Sequence, residues 1–396
     1  MQLERRVYVQ ESRPHASALW VKTVAKIRCL NPYGRRAILF LPFLVAASLA
    51  SAQTESVLYS FSGTPDGAIP GAAPVFDSSG NLFSTTPSGG ASGYGTVFML
   101  TPSGSESIVY SFTGGSDGSS PYGGLISNGS VFYGTTSTGG AYGYGTVFKL
   151  TPSGEIAILY SFHGGADGGT PLCTLVMDAL GNLYGTTQAG GSGYGTVFEV
   201  TPSGTETVLH SFFPNGTDGY TPYGGLVFDN GNLYGTTSAG GTSGHGTVFE
   251  VTTSGTETVI YSFAGGTDGA APVASLIVAA NNVLYGTTTA GGSSNDGVVF
   301  SVTTSGTETV LHTFTGSSSD GAYGWGSLIF DSEGNLFGTT SQGGAFNGGT
   351  VFEVTTSGVE SVLHSFKSYA GDGYSPNAGL ALYHLNYASF EHTAGA

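Results

Sequence analysis

The chain has 396 residues, with ten Lys and Arg against 26 Asp and Glu, a net charge of −16, and two cysteines. Eight of the ten cations lie in residues 1–52, which leaves two lysines against 24 acids, a net charge of −22, for residues 53–396. A surface of that sign repels polyphosphate and anionic lipid, so nucleic acid and anionic lipid are poor partner candidates, while neutral or cationic ligands and divalent metals stay open.

Residues 1–52 read as a secretory signal rather than as part of a fold. Arg35-Arg36 precedes an apolar run from Ala37 to Ala50, and Ala50-Ser51-Ala52 forms an A-x-A site. The run is too short to span a membrane. Cleavage after Ala52 would make Gln53 the first residue of a secreted, extracellular or cell-surface protein, with the periplasm as the other compartment. The length before Arg35 is unusual for a basic leader region, and Gly34 to Leu39 also loosely fits a twin-arginine signal. Cys29 falls in this segment, so Cys173 would be left alone. It sits in an apolar run, Leu172 to Val176, as a buried small hydrophobe or, alternatively, as a reactive thiol.

From residue 53 onward the chain is one unit written repeatedly. The pentad Val57-Leu58-Tyr59-Ser60-Phe61 recurs at about 50-residue spacing, ending at Phe112, Phe162, Phe212, Phe263, Phe314 and Phe366. A period of that length holding four short strands is the mark of a β-propeller blade. The chain opens with a lone strand, 55–61, and continues through repeats at 72–112, 123–162, 173–212, 224–263, 274–314 and 326–366, then a partial repeat, 378–391. The fourth repeat gives the template. Gly225 to Asp229 is strand a, Asn230-Gly231 a two-residue hairpin turn, and Asn232 to Thr237 strand b. A glycine-rich loop, Ser238 to Gly246, leads to strand c, Thr247 to Thr252. Thr253-Ser254-Gly255 turns the chain into strand d, Glu257 to Phe263, and a second long loop, Ala264 to Pro272, reaches the next strand a. The b motif recurs from Asn81, Val131, Asn182, Val283 and Asn335. The c motif G-T-V-F recurs from Gly95, Gly145, Gly195 and Gly349, with Gly297-Val298 departing from it.

The expected fold is therefore all-β, a single propeller domain over 53–396 with four-stranded antiparallel blades. The out-of-phase ends point to seven blades, the last incomplete and closed by the amino-terminal strand. Six blades is the alternative, because His384 to Ala396 does not continue with the turn and the b motif.

The strings Gly231 to Thr237, Gly240-Gly241, Gly246 to Phe249 and Val259 to Phe263 resemble the tandem GloVer (Gloeo/Verruco) repeats of environmental bacteria, over nearly all of 55–383. That resemblance implies a secreted or surface-associated propeller and little chemistry. The D-x-x-G-N stretch from Asp331 is also similar to NHL-type propeller repeats, which implies that strand a is innermost and d outermost.

Because strands alternate in direction, both long loops of each repeat must crowd one face, the natural place for a ligand. The d–a loop carries Asp-Gly in every copy, at Asp66, Asp117, Asp167, Asp218, Asp268, Asp320 and Asp372. These carboxylates either cap local turns or form a ring that could hold Ca²⁺; no other cofactor is expected. His210, His312 and His364 stand where Tyr59, Tyr110, Tyr160 and Tyr261 stand elsewhere, and blades apart they should not meet at a metal. A second slot diversifies through Tyr94, Tyr144, Tyr194, His245, Asp296 and Gly348. Asp117, Asp167, Asp218, Asp268 and Asp320, with Tyr94, Tyr144, Tyr194, His245 and Asp296, form the candidate ligand-binding rim. No G-x-S-x-G, H-E-x-x-H or phosphate loop occurs, and no catalytic residue is assigned. The expected function is a non-enzymatic binding scaffold for a glycan or a surface protein. The alternatives are a polysaccharide hydrolase or lyase that uses loop carboxylates, and a purely structural wall component.

Overall fold

Short β-branched and aromatic runs, cut by glycine turns, form strands of two to six residues in each repeat. The computed structural model describes residues 4–13, 16–25, 54–367, 373–383 and 386–389. In the fourth repeat strand a is Val227–Asp229, b is Asn232–Thr237, c is Thr247–Thr252 and d is Glu257–Ser262. They pair antiparallel in the order a-b-c-d. The same sheet recurs in five other blades, whose a strands begin at Val75, Ile126, Val176, Ile277 and Ile329. Among the described residues the one helical turn is the 3₁₀ segment Gly266–Asp268, and no helix is long and apolar enough to cross a membrane.

The pentad phenylalanine explains why the unit cannot stand alone. Six of the seven pack edge-on against the c-strand phenylalanine of the following blade, in the pairs Phe61–Phe98, Phe112–Phe148, Phe162–Phe198, Phe212–Phe249, Phe263–Phe300 and Phe314–Phe352, and Phe366 packs instead with Leu380. Ring centroids lie 4.7 to 5.4 Å apart. The core thus lies between blades, and a single repeat would leave its apolar face in water. The glycine of the b motif belongs to the same packing: a Cβ on Gly235 would lie 2.6 Å from the Phe249 ring. Nearer the axis, the first threonine of each b-strand pair donates its hydroxyl to a carbonyl of the next repeat. Thr85 bonds Gly123, Thr135 bonds Cys173, Thr186 bonds Gly224, Thr236 bonds Ala274, Thr287 bonds Gly324 and Thr339 bonds Ala378, at 2.9 to 3.2 Å.

The ring holds six four-stranded blades, not the seven of the main sequence reading. The seventh place is filled by a five-stranded sheet with the order Thr54–Phe61, Ala16–Ala25, Glu4–Arg13, Asn386–Ser389, Leu380–Tyr383. Its Glu4–Arg13 and Asn386–Ser389 strands run parallel, unlike any pair within a blade. The reason lies in the carboxy-terminal copy, which has strand a but neither the N-L-Y-G-T-T nor the G-T-V-F run needed for b and c. The amino-terminal strand and Leu380–Tyr383 share this sheet but are separated by three strands, so they do not pair directly. Side chains join the ends nonetheless: Phe61 and Ala378 sit in one buried cluster with Leu82, Phe98 and Leu100 of the first blade. Two strands of the sheet come from the segment read as a signal, whereas the Ala52–Gln53 bond and residues 390–396 lie outside the described residues.

Candidate functional site at the channel mouth

Six d–a loops pair with the b–c loop that follows them, as at Ala68 with Ser88, Ser119 with Thr138, and Gly219-Tyr220 with Ala239-Gly240. This is the shared rim expected from strand alternation. Inside it, each d–a loop makes a sharp turn through one left-handed residue. Ile69, Ser120, Thr170, Thr221, Ala271, Tyr323 and Ser375 all have φ between 51° and 62°. Such a conformation strains a β-branched residue by about 1–3 kcal/mol and persists only where the surroundings fix it. Here the fixing bond comes from the preceding repeat. The amides of Ser120, Thr170, Thr221, Ala271, Tyr323 and Ser375 donate to the carbonyls of Tyr94, Tyr144, Tyr194, His245, Asp296 and Gly348 at 2.7 to 3.0 Å.

Two residues after each turn the chain enters the channel. The positions are Gly71, Tyr122, Leu172, Tyr223, Val273, Trp325 and Asn377, and all seven line one cavity of about 130 Å³ on the axis. The strand motifs and the loop aspartate are nearly uniform between copies, whereas this slot, like the one that follows the pentad phenylalanine, holds six residue types in seven copies. Aromatic side chains stand at alternate copies, with Tyr122 and Trp325 49% and 42% exposed. Asn377 keeps a side-chain carbonyl oxygen shielded from solvent and without a hydrogen-bond partner. The lining holds no carboxylate and no cation among the described residues. Cys173 contributes to it, but its thiol is 2% exposed and lies 3.3 Å from the Thr186 carbonyl. Burial pushes its pKa up, against hydrogen bonds at Thr186, which makes it a packed group and a weak nucleophile.

The residues nominated from sequence lie farther out. Each described loop aspartate serves its own turn, accepting the amide of the residue that follows the pentad phenylalanine and the d-strand Tyr or His. Asp117 accepts Tyr110 Oη at 3.0 Å and Thr113 N at 2.8 Å, Asp167 accepts Tyr160 Oη and His163 N, and Asp268 accepts Tyr261 Oη and Ala264 N. Asp218 and Asp320 meet His210 and His312 at 3.1 Å instead. The aspartates are therefore not gathered around the channel, and Asp372 lies outside the described residues. Burial pushes Asp320 up, but hydrogen bonds from His312 and Thr315 outweigh it and hold the carboxyl below its ordinary range. Tyr94, Tyr144 and Tyr194 are 47%, 46% and 38% exposed on the rim, and their rings cover the next loop. A Cβ on Gly114, φ 76°, would lie 2.8 Å from the Tyr94 ring. That slot tolerates Tyr, His, Asp and Gly because its carbonyl does the anchoring.

Two features escaped sequence reading. One is the seven-residue ring in the channel, visible in the alignment of repeats as the residue two places after the left-handed turn. The other is the glutamate that opens strand d, at Glu106, Glu206, Glu257, Glu308 and Glu360. It reaches the Tyr/His–Asp pair of the preceding repeat. Burial and then the charge of the neighbouring aspartate push Glu106, Glu206, Glu308 and Glu360 up to about 7, with a histidine opposing the rise at Glu206 and Glu360.

A family model described as a Gloeobacter/Verrucomicrobia repeat matches residues 46–230 and 192–390. No curated protein matches the chain in sequence. Among solved structures, a 6-phosphogluconolactonase-like protein from Bacteroides uniformis aligns with a TM-score of 0.51 at 16% identity, over 78% of this chain and 88% of that one. A glucose dehydrogenase-like oxidoreductase from Thermus thermophilus gives 0.39 at 15%, over 76% and 97%. A puromycin hydrolase gives 0.36 at 11%, over 76% and 54%. At such identity the first likeness speaks to fold alone.

Proposed function

The chain belongs to the Gloeobacter/Verrucomicrobia repeat family, and from that premise we propose that it is a secreted binding scaffold that holds a neutral glycan at the channel mouth. The observation that carries this reading is the alternation of Tyr122, Tyr223 and Trp325 around an axial cavity lined by uncharged groups. Sugar rings offer apolar C–H faces and hydroxyl edges, and exposed aromatic faces with a few fixed acceptors complement both. The acidic balance of residues 53–396 argues against anionic ligands, and the basic and apolar pattern before Ala52 argues for export. Amino-terminal sequencing of exported protein reads Gln53 first if that cleavage occurs. The carboxylate-based enzyme reading draws no support from this cavity, since no carboxylate lines it among the described residues.

A glycan array carried out with and without EDTA tests the proposal. Neutral oligosaccharides should bind in both conditions, acidic ones should not, and Trp325→Ala should weaken binding about tenfold, or about 1.4 kcal/mol. Absence of binding, or binding that Trp325→Ala leaves unchanged, would sink it. A protein partner would appear instead as capture without any glycan signal.

A further inference from the structure

We propose that His210, Asp218 and Glu257 form a binding site for a first-row divalent cation of the zinc class, between the third and fourth blades. One ligand atom from each residue lies within 4.8 Å of the others. His210 Nε2 is 3.1 Å from Asp218 Oδ2, close to the roughly 3.3 Å between ligand atoms in a tetrahedral site with bonds of about 2.0–2.1 Å. An imidazole nitrogen and two carboxylates suit zinc or its neighbours, and the cation's two charges balance the two carboxylates. Three protein ligands leave a fourth position for water.

The second observation is a buried lone pair with nothing to receive. Asp218 is 6% exposed, and its Oδ1 has no hydrogen-bond partner; Glu257 Oε1 has none either, a state it shares with the glutamates of the other junctions, so the aspartate oxygen is what distinguishes this trio from that of His312. Comparison of the repeats explains why. In the first, second and sixth loops a hydroxyl follows the pentad phenylalanine and donates to the aspartate, from Ser62 to Asp66, Thr113 to Asp117 and Thr315 to Asp320. At the His210 junction that position is Phe213, which gives only its amide, to Oδ2. Where tyrosine replaces histidine, its hydroxyl donates a hydrogen bond to the aspartate and the junction lacks a nitrogen ligand. The related trio His312, Asp320 and Glu360 differs, because Asp320 spends both oxygens on Gly321 and Thr315. It is the internal control.

The full chain, stripped with EDTA, is titrated with Zn²⁺ by calorimetry and with Co²⁺ by visible absorption. One equivalent should bind, with the absorption of a tetrahedral nitrogen–oxygen site. His210→Tyr installs the residue found at four other copies and should weaken binding at least tenfold and abolish that absorption. Glu257→Gln should act alike, and Phe213→Thr, which supplies the missing hydroxyl, should weaken it less; these two give the reading if His210→Tyr does not fold. His312→Tyr should leave the site intact. The proposal is overturned if the wild-type chain takes up no metal, if the His210 and Glu257 variants bind as it does, or if His312→Tyr is the variant that loses the ion.

Discussion

The junctions between blades and the mouth of the channel are built from the same repeats but use them in opposite ways. At a junction every copy offers nearly the same groups: the pentad phenylalanine, the c-strand phenylalanine, the b-strand threonine and the loop aspartate. At the mouth the copies offer Gly71, Tyr122, Leu172, Tyr223, Val273, Trp325 and Asn377. A junction must fit the next copy, so drift on one side leaves a void or an unpaired polar group on the other. The mouth faces only solvent or a ligand, and nothing in the ring requires its residues to agree. Uniformity therefore marks construction, and divergence marks the surface free to specialise.

The hardest test of that division is to damage a junction. Phe249 is fully buried and packs against Phe212 at 5.1 Å. Phe249→Ala should cost about 3–5 kcal/mol of unfolding free energy, because the removed ring leaves a cavity that two blades cannot close. Urea unfolding followed by tryptophan fluorescence measures it. A loss below about 1 kcal/mol would mean that the blades are not held by these phenylalanines.

A smaller, distributed effect follows from the junction glutamates. Glu106, Glu206, Glu308 and Glu360 bind a proton more tightly in the fold than in the unfolded chain, with folded pKa values of about 7 against 4.5. Between those values the native state holds more protons than the unfolded one, so stability falls as pH rises from about 4.5 through 7. Asp167 and Asp320 are shifted the other way and cost stability only when pH falls below the ordinary aspartate range. Melting temperature should therefore be higher at pH 5.5 than at pH 8. Replacing the four glutamates with glutamine should flatten that slope; an unchanged slope would remove the carboxylates as its source.

How much of this was legible follows the same division. Period, strand order and the common rim could be read from the pentads and the b and c motifs, since those residues fix local structure through propensity and turn chemistry. Asn230-Gly231 adopts the two positive φ values, 49° and 86°, that its sequence promises. The blade count was harder. It depends on whether residues 384–396 supply strands b and c, and what fills the seventh sheet comes from distant parts of the chain. The site was harder still. Tyr94, His245 and Asp296 drew notice because their slot varies, yet their carbonyls hold the left-handed residues of the next loop and their side chains are free to change. Histidines that seemed isolated, such as His210, meet a glutamate from the next repeat, a juxtaposition set by ring packing and by no spacing along the chain. The channel residues, two places beyond a turn, carried no motif at all.

The smallest expected effect sharpens the comparison most. Trp325 lines the cavity, is 42% exposed, and belongs to none of the buried clusters between blades. If the mouth is free of structural duty, Trp325→Ala should change unfolding free energy by no more than about 0.5 kcal/mol, the range of surface substitutions that leave no cavity. Tyr122→Ala should behave the same way. The pair of readouts matters more than either alone: a large loss of glycan affinity with an unmoved denaturation midpoint places these rings in recognition. A destabilisation near that of Phe249→Ala would instead make the aromatic trio part of the frame, and the uneven ring at the channel would then need another cause.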